Sequence, residues 1–533
     1  MKALFAWIRA AAGWIRSAYP WQQRLLAFAL GGASTLALPP VHAVPVLWLC
    51  LPPLIWMLQA AAHQSRGGWR AFWLGWCYGF GYFLVGLYWI SAALFTDIAR
   101  WWFVLPFAAA GLPAFLALYP ALACALTRWL IARGAQPVLV FALSMSAAEL
   151  LRGYLFTGFP WNLVGYGWSA WTPVLQTASV VGVYGLGLLT LIAAGAPAML
   201  ATRRASDNGA VAFCLAGLLA FVLLGAAGTV RMARTPDPTG TQLRIVQPNI
   251  PQTEKWRADL RAEHFRELLA LSASPTPGQS APSLVVWPET AVTFVLGDAP
   301  DARAAIADLL PPGSYLATGS FRRYPGPARR STYANSLELI DSQGAVIGFF
   351  DKVHLVPFGE YVPLRAWLPF EPIAAGATDL KPGKALKTLD PPGIPPFSPL
   401  ICYEAIFPGK VTAERRRPAW LLNVTNDAWY GETAGPYQHL AIAAARAVEE
   451  GLPLIRAANT GISAVVTADG RIVARHPLKQ RGVIDHRLPA PFPRPTYFAE
   501  WGILTYTILW CTIATLVGFI ALSHQLRREI NPR

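Results

Sequence analysis

Long apolar stretches separated by short basic loops dominate the first 230 residues of the chain. A helix needs about 20 mostly apolar residues to cross the hydrocarbon core of a bilayer. Stretches of about that length recur seven times before residue 231 and once after residue 500. The pattern therefore predicts eight membrane spans, near 25–41, 45–62, 71–95, 103–127, 137–155, 173–200, 210–230 and 502–522.

Two charged residues, Glu149 and Arg152, interrupt the fifth predicted span. An ionisable group inside a membrane is a candidate for function, because its burial is expensive. An ion pair between the two residues at the membrane edge is the simpler alternative, and we favour it.

The basic residues of the loops predict the orientation of the chain. With the N-terminus in the cytoplasm, thirteen Lys and Arg residues fall in inside segments, whereas only Arg100 and Arg152 fall in short outside loops. Both termini are then cytoplasmic, and the long segment between spans seven and eight lies outside, which in a bacterium is the periplasm. We divide the chain into a membrane domain (1–230), a periplasmic domain (231–495) and a last span with a cytoplasmic tail (496–533).

The pattern changes in the periplasmic segment. Short β-rich runs lie at 243–247, 283–288, 313–320, 336–340, 345–350, 399–404 and 420–425. Between them, segments 254–273 and 437–450 place apolar residues at three- and four-residue steps, which is typical of helices. Strands that alternate with helices predict a layered α/β domain.

Composition and charge narrow the class of protein. Of the 533 residues, 54% are hydrophobic and 14% are charged, against about 25% charged in ordinary soluble domains, which excludes disorder and argues against a wholly soluble protein. The net charge of +15 raises the question of a nucleic-acid partner. Residues 231–500 are nearly balanced, however, with 29 basic and 25 acidic residues, and the excess lies on apolar flanks without a basic stripe. We therefore expect no nucleic-acid partner.

Cys402 is the only cysteine outside the predicted spans. A disulfide in an oxidising compartment needs a partner, so this thiol is either buried and inert or kept for its reactivity. It directly follows the strand-like run 399–401, which displays it at the edge of a sheet.

Glu289 and Lys352 also follow predicted strands, in the segments VVWPET and FDKVHLVPFGEYVP. A carboxylate approached by apolar residues can act as a general base, and an ammonium can stabilise an oxyanion. Taken singly, Glu289 could be a surface residue that begins a loop, and Lys352 could pair with Asp351. Together with Cys402 they form a set for thiol acyl transfer: the carboxylate takes the thiol proton, the thiolate attacks a carbonyl, and a second nucleophile attacks the resulting thioester.

The motifs WPET, DKVHLVPFGEYVP and ICYE resemble the Glu–Lys–Cys signature of the nitrilase superfamily. NVTNDAWYG (423–431) and RAANTGIS (456–463) strengthen the match. With the predicted spans, the whole chain resembles the apolipoprotein N-acyltransferase family. This resemblance implies an αββα nitrilase-like sandwich domain joined to an eight-helix membrane domain in the bacterial inner membrane.

The resemblance also implies a two-step, ping-pong reaction without a cofactor or a metal. Cys402 takes an acyl chain from a phospholipid, typically phosphatidylethanolamine, and passes it to the N-terminal amine of a diacylglyceryl apolipoprotein; the enzyme is expected to be a monomer. Glu289 is then the base and Lys352 the oxyanion stabiliser. Supporting or substrate-binding roles fall to Glu360, Tyr403, Glu404, Trp256 and Asn335. Leu452 stands where the family commonly has a basic residue.

Several alternatives follow from the same residues. The aromatic-rich segment 361–373 is either a mobile lid over the site or a packed loop. His354 and His439 are single histidines without a second ligand at metal spacing, so we expect no zinc site. A membrane-tethered amidase that uses water as the acceptor, and a transporter with a vestigial domain, are the two rival functions.

Overall fold

The computed structural model describes residues 2–201, 208–274, 278, 280–325, 331–365, 367, 379–413 and 416–530. Most of segment 361–373, for which the sequence leaves a mobile lid and a packed loop open, lies outside the described residues. The chain divides into two compact units. The first comprises Met1–Leu94, Ala99–Met232 and Tyr497–Arg533, and the second Phe95–Ile98 and Ala233–Thr496.

The first unit is helical. Its helices are α1 (Lys2–Ser17), α2 (Pro20–Ser34), α3 (Leu47–Ala62), α4 (Gly67–Gly86), α5 (Ile98–Trp101, shared with the second unit), α6 (Leu112–Leu116), α7 (Leu118–Ala132), α8 (Pro137–Tyr154), α9 (Thr172–Leu175), α10 (Ala178–Gly195), α11 (Asn208–Met232), α16 (Tyr497–Trp501) and α17 (Leu504–Ile530).

Six helical segments of this unit are long and apolar enough to cross a membrane, and each corresponds to a predicted span. They are Val44–Ala62, Phe107–Ala132, Pro137–Thr157, Ala178–Ala201, Asn208–Met232 and Leu504–Ser523. The predicted span 71–95 corresponds to two helical segments, Gly67–Gly86 and Tyr88–Val104, bent by 49°. Within the described residues, six spans are therefore present, or seven if the bent pair counts as one.

The predicted span 25–41 is not among these segments. It overlaps α2, which ends at Ser34 after 15 residues and is followed directly by a short 3-10 helix, Thr35–Ala37. At 1.5 Å per residue, α2 is about 22 Å long, shorter than a hydrocarbon core of about 30 Å. Pro39 and Pro40 prevent the helix from continuing, because proline lacks the amide hydrogen that a helix interior needs. The prediction of eight spans is thus not confirmed.

The second unit contains two β-sheets. A six-stranded sheet has the order β11-β1-β2-β3-β4-β5, and a five-stranded sheet has the order β10-β9-β8-β7-β6. The strands are β1 (Gln242–Gln247), β2 (Leu284–Val286), β3 (Tyr315–Pro325), β4 (Ser331–Asp341), β5 (Val346–Asp351), β6 (Phe397–Ile401), β7 (Trp420–Thr425), β8 (Leu454–Ala458), β9 (Ser463–Val466), β10 (Ile472–His476) and β11 (Gly482–Arg487). The α-helices among its described residues are α12 (Gln252–Lys255), α13 (Arg261–Ala273), α14 (Pro300–Leu309) and α15 (Gly435–Glu450).

The alternation of residues along the strands builds four layers. In β1, Ile245 packs in the same core as Leu422 of β7, so this core lies between the two sheets. The next residue, Val246, points the other way and packs with α13 and α14. On the far side of the five-stranded sheet, Leu421 packs with α15. Because successive side chains of a strand alternate between faces, one sequence supplies both an inner and an outer core. The result is the expected αββα sandwich.

All seven β-rich runs recognised in the sequence form strands or parts of strands. The predicted helix 254–273 is interrupted: α12 ends at Lys255 and α13 begins at Arg261. At the end of α12, Lys255 is buried and its Nζ donates to the main-chain oxygen of Glu289. This interruption places Lys255 beside the candidate site.

Candidate active site

Glu289 lies three residues after the end of β2 and is held on both carboxylate oxygens. Oε1 accepts from Asn335 Nδ2 at 2.7 Å, and Oε2 accepts from the main-chain N–H of Asn426 at 2.8 Å. The main chain around it is tightly packed: a Cβ added to Gly319 of β3 would lie 2.4 Å from the nitrogen of Thr290. Only glycine lets β3 pass so close to the main chain of Glu289 and Thr290, and this packing helps to fix the position of the Glu289 carboxylate.

Lys352 directly follows β5 and is almost completely buried. Its Nζ lies 2.9 Å from Glu360 Oε2, 3.0 Å from Glu360 Oε1 and 3.5 Å from Glu289 Oε1. Burial lowers the pKa of Lys352, but the charges of Glu360 and Glu289 outweigh it and hold the pKa above its ordinary value. The side chain therefore remains an ammonium at neutral pH.

Asn335 of β4 joins the two carboxylates. Its Nδ2 donates to Glu289 Oε1 at 2.7 Å and to Glu360 Oε1 at 2.9 Å, and its main-chain oxygen accepts from the N–H of Lys352 at 2.8 Å. Glu360 also accepts from the N–H of Val356, which closes the loop after β5. Two carboxylates, one ammonium and one amide thus form a single buried cluster. The pairing of Lys352 with Asp351, considered from the sequence, is not seen: Asp351 binds Arg322 instead.

Cys402 follows β6 and begins a short 3-10 helix, Cys402–Ile406. Its side chain is 6% exposed, and its backbone has φ +51°, a left-handed conformation that is rare for a residue other than glycine. Burial and the charge of Glu289 raise the pKa of the thiol to about 12, although Lys352 and a hydrogen bond with Thr425 act in the opposite direction. The thiol is therefore protonated at neutral pH and needs a base to become a nucleophile.

Glu404 connects the segments that carry Lys352 and Cys402. Its Oε1 accepts from the N–H groups of Val353 (2.7 Å) and His354 (3.2 Å), and its Oε2 accepts from the N–H of Ile401 (2.7 Å). The loop after Lys352 is therefore tied to the strand end before Cys402.

The ring of Tyr403 packs within the same region. It lies 5.6 Å from the ring of His354 and 5.1 Å from that of Phe407, centroid to centroid. Tyr403, the neighbour of Cys402, therefore packs its ring against the aromatic side chains of His354 and Phe407.

Trp256 lies farther out. It is 43% exposed and packs against Phe321 at 5.8 Å between ring centroids. The preceding residue, Lys255, is the one that reaches the interior, where its Nζ donates to the main-chain oxygen of Glu289 at 3.0 Å. Burial lowers the pKa of Lys255 to about 8. Trp256 was expected at the site from the sequence, whereas Lys255, the residue that lies there, was not.

Sequence analysis also missed the residues that follow β7. Asn426 binds Glu289, and Asp427 lies in a buried cluster with His439 and Arg456. The motifs NVTNDAWYG and RAANTGIS contain three of these residues, but neither motif indicates what the side chains contact. Leu452 is completely buried in the core beside α15, so the departure from a basic residue adds an apolar side chain to that core.

Two family models match the chain. The model described as apolipoprotein N-acyltransferase N-terminal domain matches residues 30–196, and the model described as carbon-nitrogen hydrolase matches residues 242–492. A solved amidase from Nesterenkonia AN1, described as a member of the nitrilase superfamily, aligns with 51% of this chain and 98% of its own, at 20% identity and a TM-score of 0.36.

Curated relatives match nearly the full length. Apolipoprotein N-acyltransferase of Rhodopseudomonas palustris is 42% identical over 94% of this chain and 95% of its own length. The protein of the same name from Brucella melitensis is 40% identical over 95% of this chain and 97% of its own. These matches confirm the resemblance drawn from the motifs, and the chain belongs to the apolipoprotein N-acyltransferase family of the nitrilase superfamily.

Proposed function

We propose that this protein transfers a fatty acyl chain from a phospholipid, through a thioester on Cys402, to the N-terminal amine of the S-diacylglyceryl cysteine of apolipoproteins. The observation that carries the proposal is the buried cluster of Glu289, Lys352 and Glu360, in which Glu360 pairs with Lys352 and the charges of Glu289 and Lys352 act on the protonated Cys402 thiol. The name of the full-length relatives supports the choice of acceptor.

In the first half-reaction, Glu289 removes the Sγ proton as the sulfur attacks the ester carbonyl of a phospholipid. Phosphatidylethanolamine is the proposed acyl donor. The carbonyl oxygen becomes an oxyanion, which the ammonium of Lys352 stabilises. The tetrahedral intermediate then collapses, and the carbon–oxygen bond to the lysophospholipid breaks. The leaving oxygen takes the proton from Glu289, and the acyl chain remains on Cys402 as a thioester.

In the second half-reaction, the amine of the apolipoprotein attacks the thioester carbonyl and loses a proton to Glu289. The second tetrahedral intermediate expels the sulfur, which recovers that proton. Glu360 keeps Lys352 charged throughout, because its carboxylate is the nearest partner of Nζ. Glu289 returns to its carboxylate form after each half-reaction, and Cys402 recovers its proton at the end of the second, so the full cycle requires no cofactor.

The membrane unit fits substrates that are anchored in a bilayer. Moving a 16-carbon chain from lipid into water costs more than about 10 kcal/mol, at about 0.8 kcal/mol per methylene. We assign eight spans, with α2 and the following residues as the first, both termini in the cytoplasm, and residues 231–495 in the periplasm of a bacterial inner membrane. The protein acts as a monomer in this assignment.

The test uses the full chain in vesicles that contain phosphatidylethanolamine with an isotope-labelled acyl chain. We expect mass spectrometry to find the labelled acyl group on Cys402 in the wild type and to find none in Cys402→Ala. Cys511→Ala is the matched control, because Cys511 is an exposed cysteine of the first unit. An unmodified Cys402 after exposure to phospholipid contradicts the proposal.

The acceptor separates acyl transfer from hydrolysis. When a diacylated lipopeptide is added, the label is expected on its N-terminal amine. Label that appears as free fatty acid at the same rate with and without the lipopeptide supports the membrane-tethered amidase instead.

A further inference from the structure

The backbone of Cys402 is held in an unfavourable conformation. A residue with a Cβ is strained in the left-handed region, so the surrounding structure has to maintain this conformation. The turn after β7, helix α15 and strand β8 provide a buried polar cluster of three side chains, Asp427, His439 and Arg456, that reaches this peptide.

His439 contacts the main chain of Cys402 directly. Its Nε2 lies 3.2 Å from the carbonyl oxygen of Cys402. A carbonyl oxygen can only accept, so Nε2 carries a hydrogen and donates to it. Burial and the charge of Arg456 lower the pKa of His439 below its ordinary value.

Asp427 and Arg456 fix the other side of the imidazole. Nδ1 of His439 carries no hydrogen in the neutral ring, so it accepts from Arg456 Nη2 at 3.0 Å. Arg456 Nη2 also donates to Asp427 Oδ2 at 2.6 Å, so Asp427 fixes the ring through Arg456. Arg456 also donates to Asn423, and Asp427 accepts from the hydroxyl of Thr425. The ring has no freedom to rotate while these contacts persist.

The same turn after β7 also holds the base. The N–H of Asn426, between Thr425 and Asp427, donates to Glu289 Oε2 at 2.8 Å. One segment of three residues therefore contacts the carboxylate on one side and supports the Cys402 peptide through His439 on the other. Its position sets the separation between base and nucleophile.

This arrangement differs from a cysteine–histidine pair. In such a pair the imidazole binds the sulfur and lowers its pKa. Here the imidazole binds the backbone carbonyl, and the pKa of the thiol is raised. The histidine therefore supplies geometry and leaves proton transfer to the carboxylate.

We propose that Asp427, His439 and Arg456 are positioning residues that hold the Cys402 peptide in its left-handed conformation and align the thiol with Glu289. The inference rests on the proposed function of Cys402 as the acyl carrier. Misplacement of a reacting atom by about 1 Å can cost about a hundredfold in rate. We therefore expect His439→Leu and Asp427→Asn to slow acylation of Cys402 about 10- to 100-fold.

The experiment measures the rate at which labelled phosphatidylethanolamine acylates Cys402, together with the unfolding temperature of each full-length variant. Asp485→Asn is the matched control, because it removes the same charge from another buried ion pair of this unit, between Arg244 of β1 and Asp485 of β11. Asp427→Asn and Asp485→Asn are expected to lower the unfolding temperature similarly, whereas only Asp427→Asn slows acylation. Equal acylation rates in the two variants overturn the inference.

Two further variants keep the test decisive if His439→Leu folds poorly. His439→Gln retains a donor for the Cys402 carbonyl, so it is expected to recover most of the rate that His439→Leu loses. Gly461→Ala changes no polar group, but its Cβ would lie 2.4 Å from Asp427 Oδ2 and displace that carboxylate, so it is expected to slow acylation as well. A glutamine variant no faster than the leucine variant contradicts the positioning role, whereas a wild type that forms no acyl adduct contradicts the proposed function itself.

Discussion

Each unit of the protein encloses a glutamate near a basic residue, but the two sites satisfy their charges differently. In the first unit, Glu149 accepts from the N–H of Val164, and Arg152 donates to the carbonyl oxygens of Phe159 and Trp161. Within the described residues, no ion pair joins Glu149 and Arg152, so the expected pair is not seen. In the second unit, Glu289, Lys352 and Glu360 contact one another.

The difference shows how a charged side chain that stabilises the fold can be distinguished from one that takes part in a reaction. A charged side chain whose partners are main-chain groups stabilises a loop, because those groups have few other partners once buried. Charged side chains that face one another keep protons and charge available for a reacting atom. Glu149 and Glu289 both interrupt apolar stretches of the sequence. Only the groups that they contact in the structure distinguish their roles.

The largest expected effect comes from Lys352→Met. Loss of the ammonium removes the oxyanion partner and leaves Glu289 and Glu360 as two unneutralised buried carboxylates, so acyl transfer is expected to fall by about 10²–10³ or more. Single-turnover transfer from labelled phospholipid measures the loss. Lys387→Met, at an exposed lysine of the same unit, is the control and is expected to retain activity. Comparable losses of activity in the two variants would contradict a specific role for the Lys352 ammonium in acyl transfer.

Glu360→Gln is expected to act more weakly and in a pH-dependent way. Burial lowers the pKa of Lys352, and Glu360 is the largest of the charges that raise it, so the loss of Glu360 lowers that pKa although Glu289 remains. As the pH rises, Lys352 should therefore lose its proton, and the variant its activity, at a lower pH than in the wild type. A pH–rate profile of the variant parallel to that of the wild type contradicts this role.

Arg152→Met sharpens the comparison from the side of the first unit. It leaves the carbonyl oxygens of Phe159 and Trp161 without their donor, at a cost of about 1–3 kcal/mol each. Thermal unfolding in detergent is expected to show the loss. The acylation rate of Cys402 per folded molecule should not change, and a specific fall in that rate would make Arg152 part of the chemistry.

The smallest effect is expected from Glu149→Gln. Glutamine keeps an acceptor oxygen for the N–H of Val164, so the unfolding free energy should change by less than about 1 kcal/mol. Acyl transfer should equal that of the wild type. A loss of transfer without a loss of stability would show that the charge of Glu149 matters in its own right.

The sequence predicted the sandwich and much of the site because both depend on local pattern. Alternating runs such as 243–247 specify which side chains face each sheet, and a residue that follows a strand is displayed at the sheet edge, as Lys352 and Cys402 are. The shortness of α2 was missed because the apolar run continues past the point where Pro39 and Pro40 end the helix.

Contacts between distant segments could not be predicted in the same way. Lys255 binds the main chain of Glu289, 34 residues away, and His439 binds that of Cys402, 37 residues away. In the sequence, Lys255 belongs to a polar helix start, and His439 is a single histidine without a metal partner. Their roles depend on main-chain groups, which every residue has and which no motif records.

The position of Asn335 in β4 links the pairing of the strands to the spacing between Glu289 and Lys352. Asn335 pairs with Phe321 in β3, while its amide spans the two carboxylates. Because neighbours in a strand point to opposite faces, a slip of β4 by a single position would replace this amide with the side chain of Ala334 or Ser336 turned from the other face. Insertions into the hairpins on either side of β4 are therefore tolerable only where they keep the register of β4 with its neighbouring strands. One-residue deletions along these loops, each assayed for acyl transfer, would show how strictly the site constrains the loop lengths.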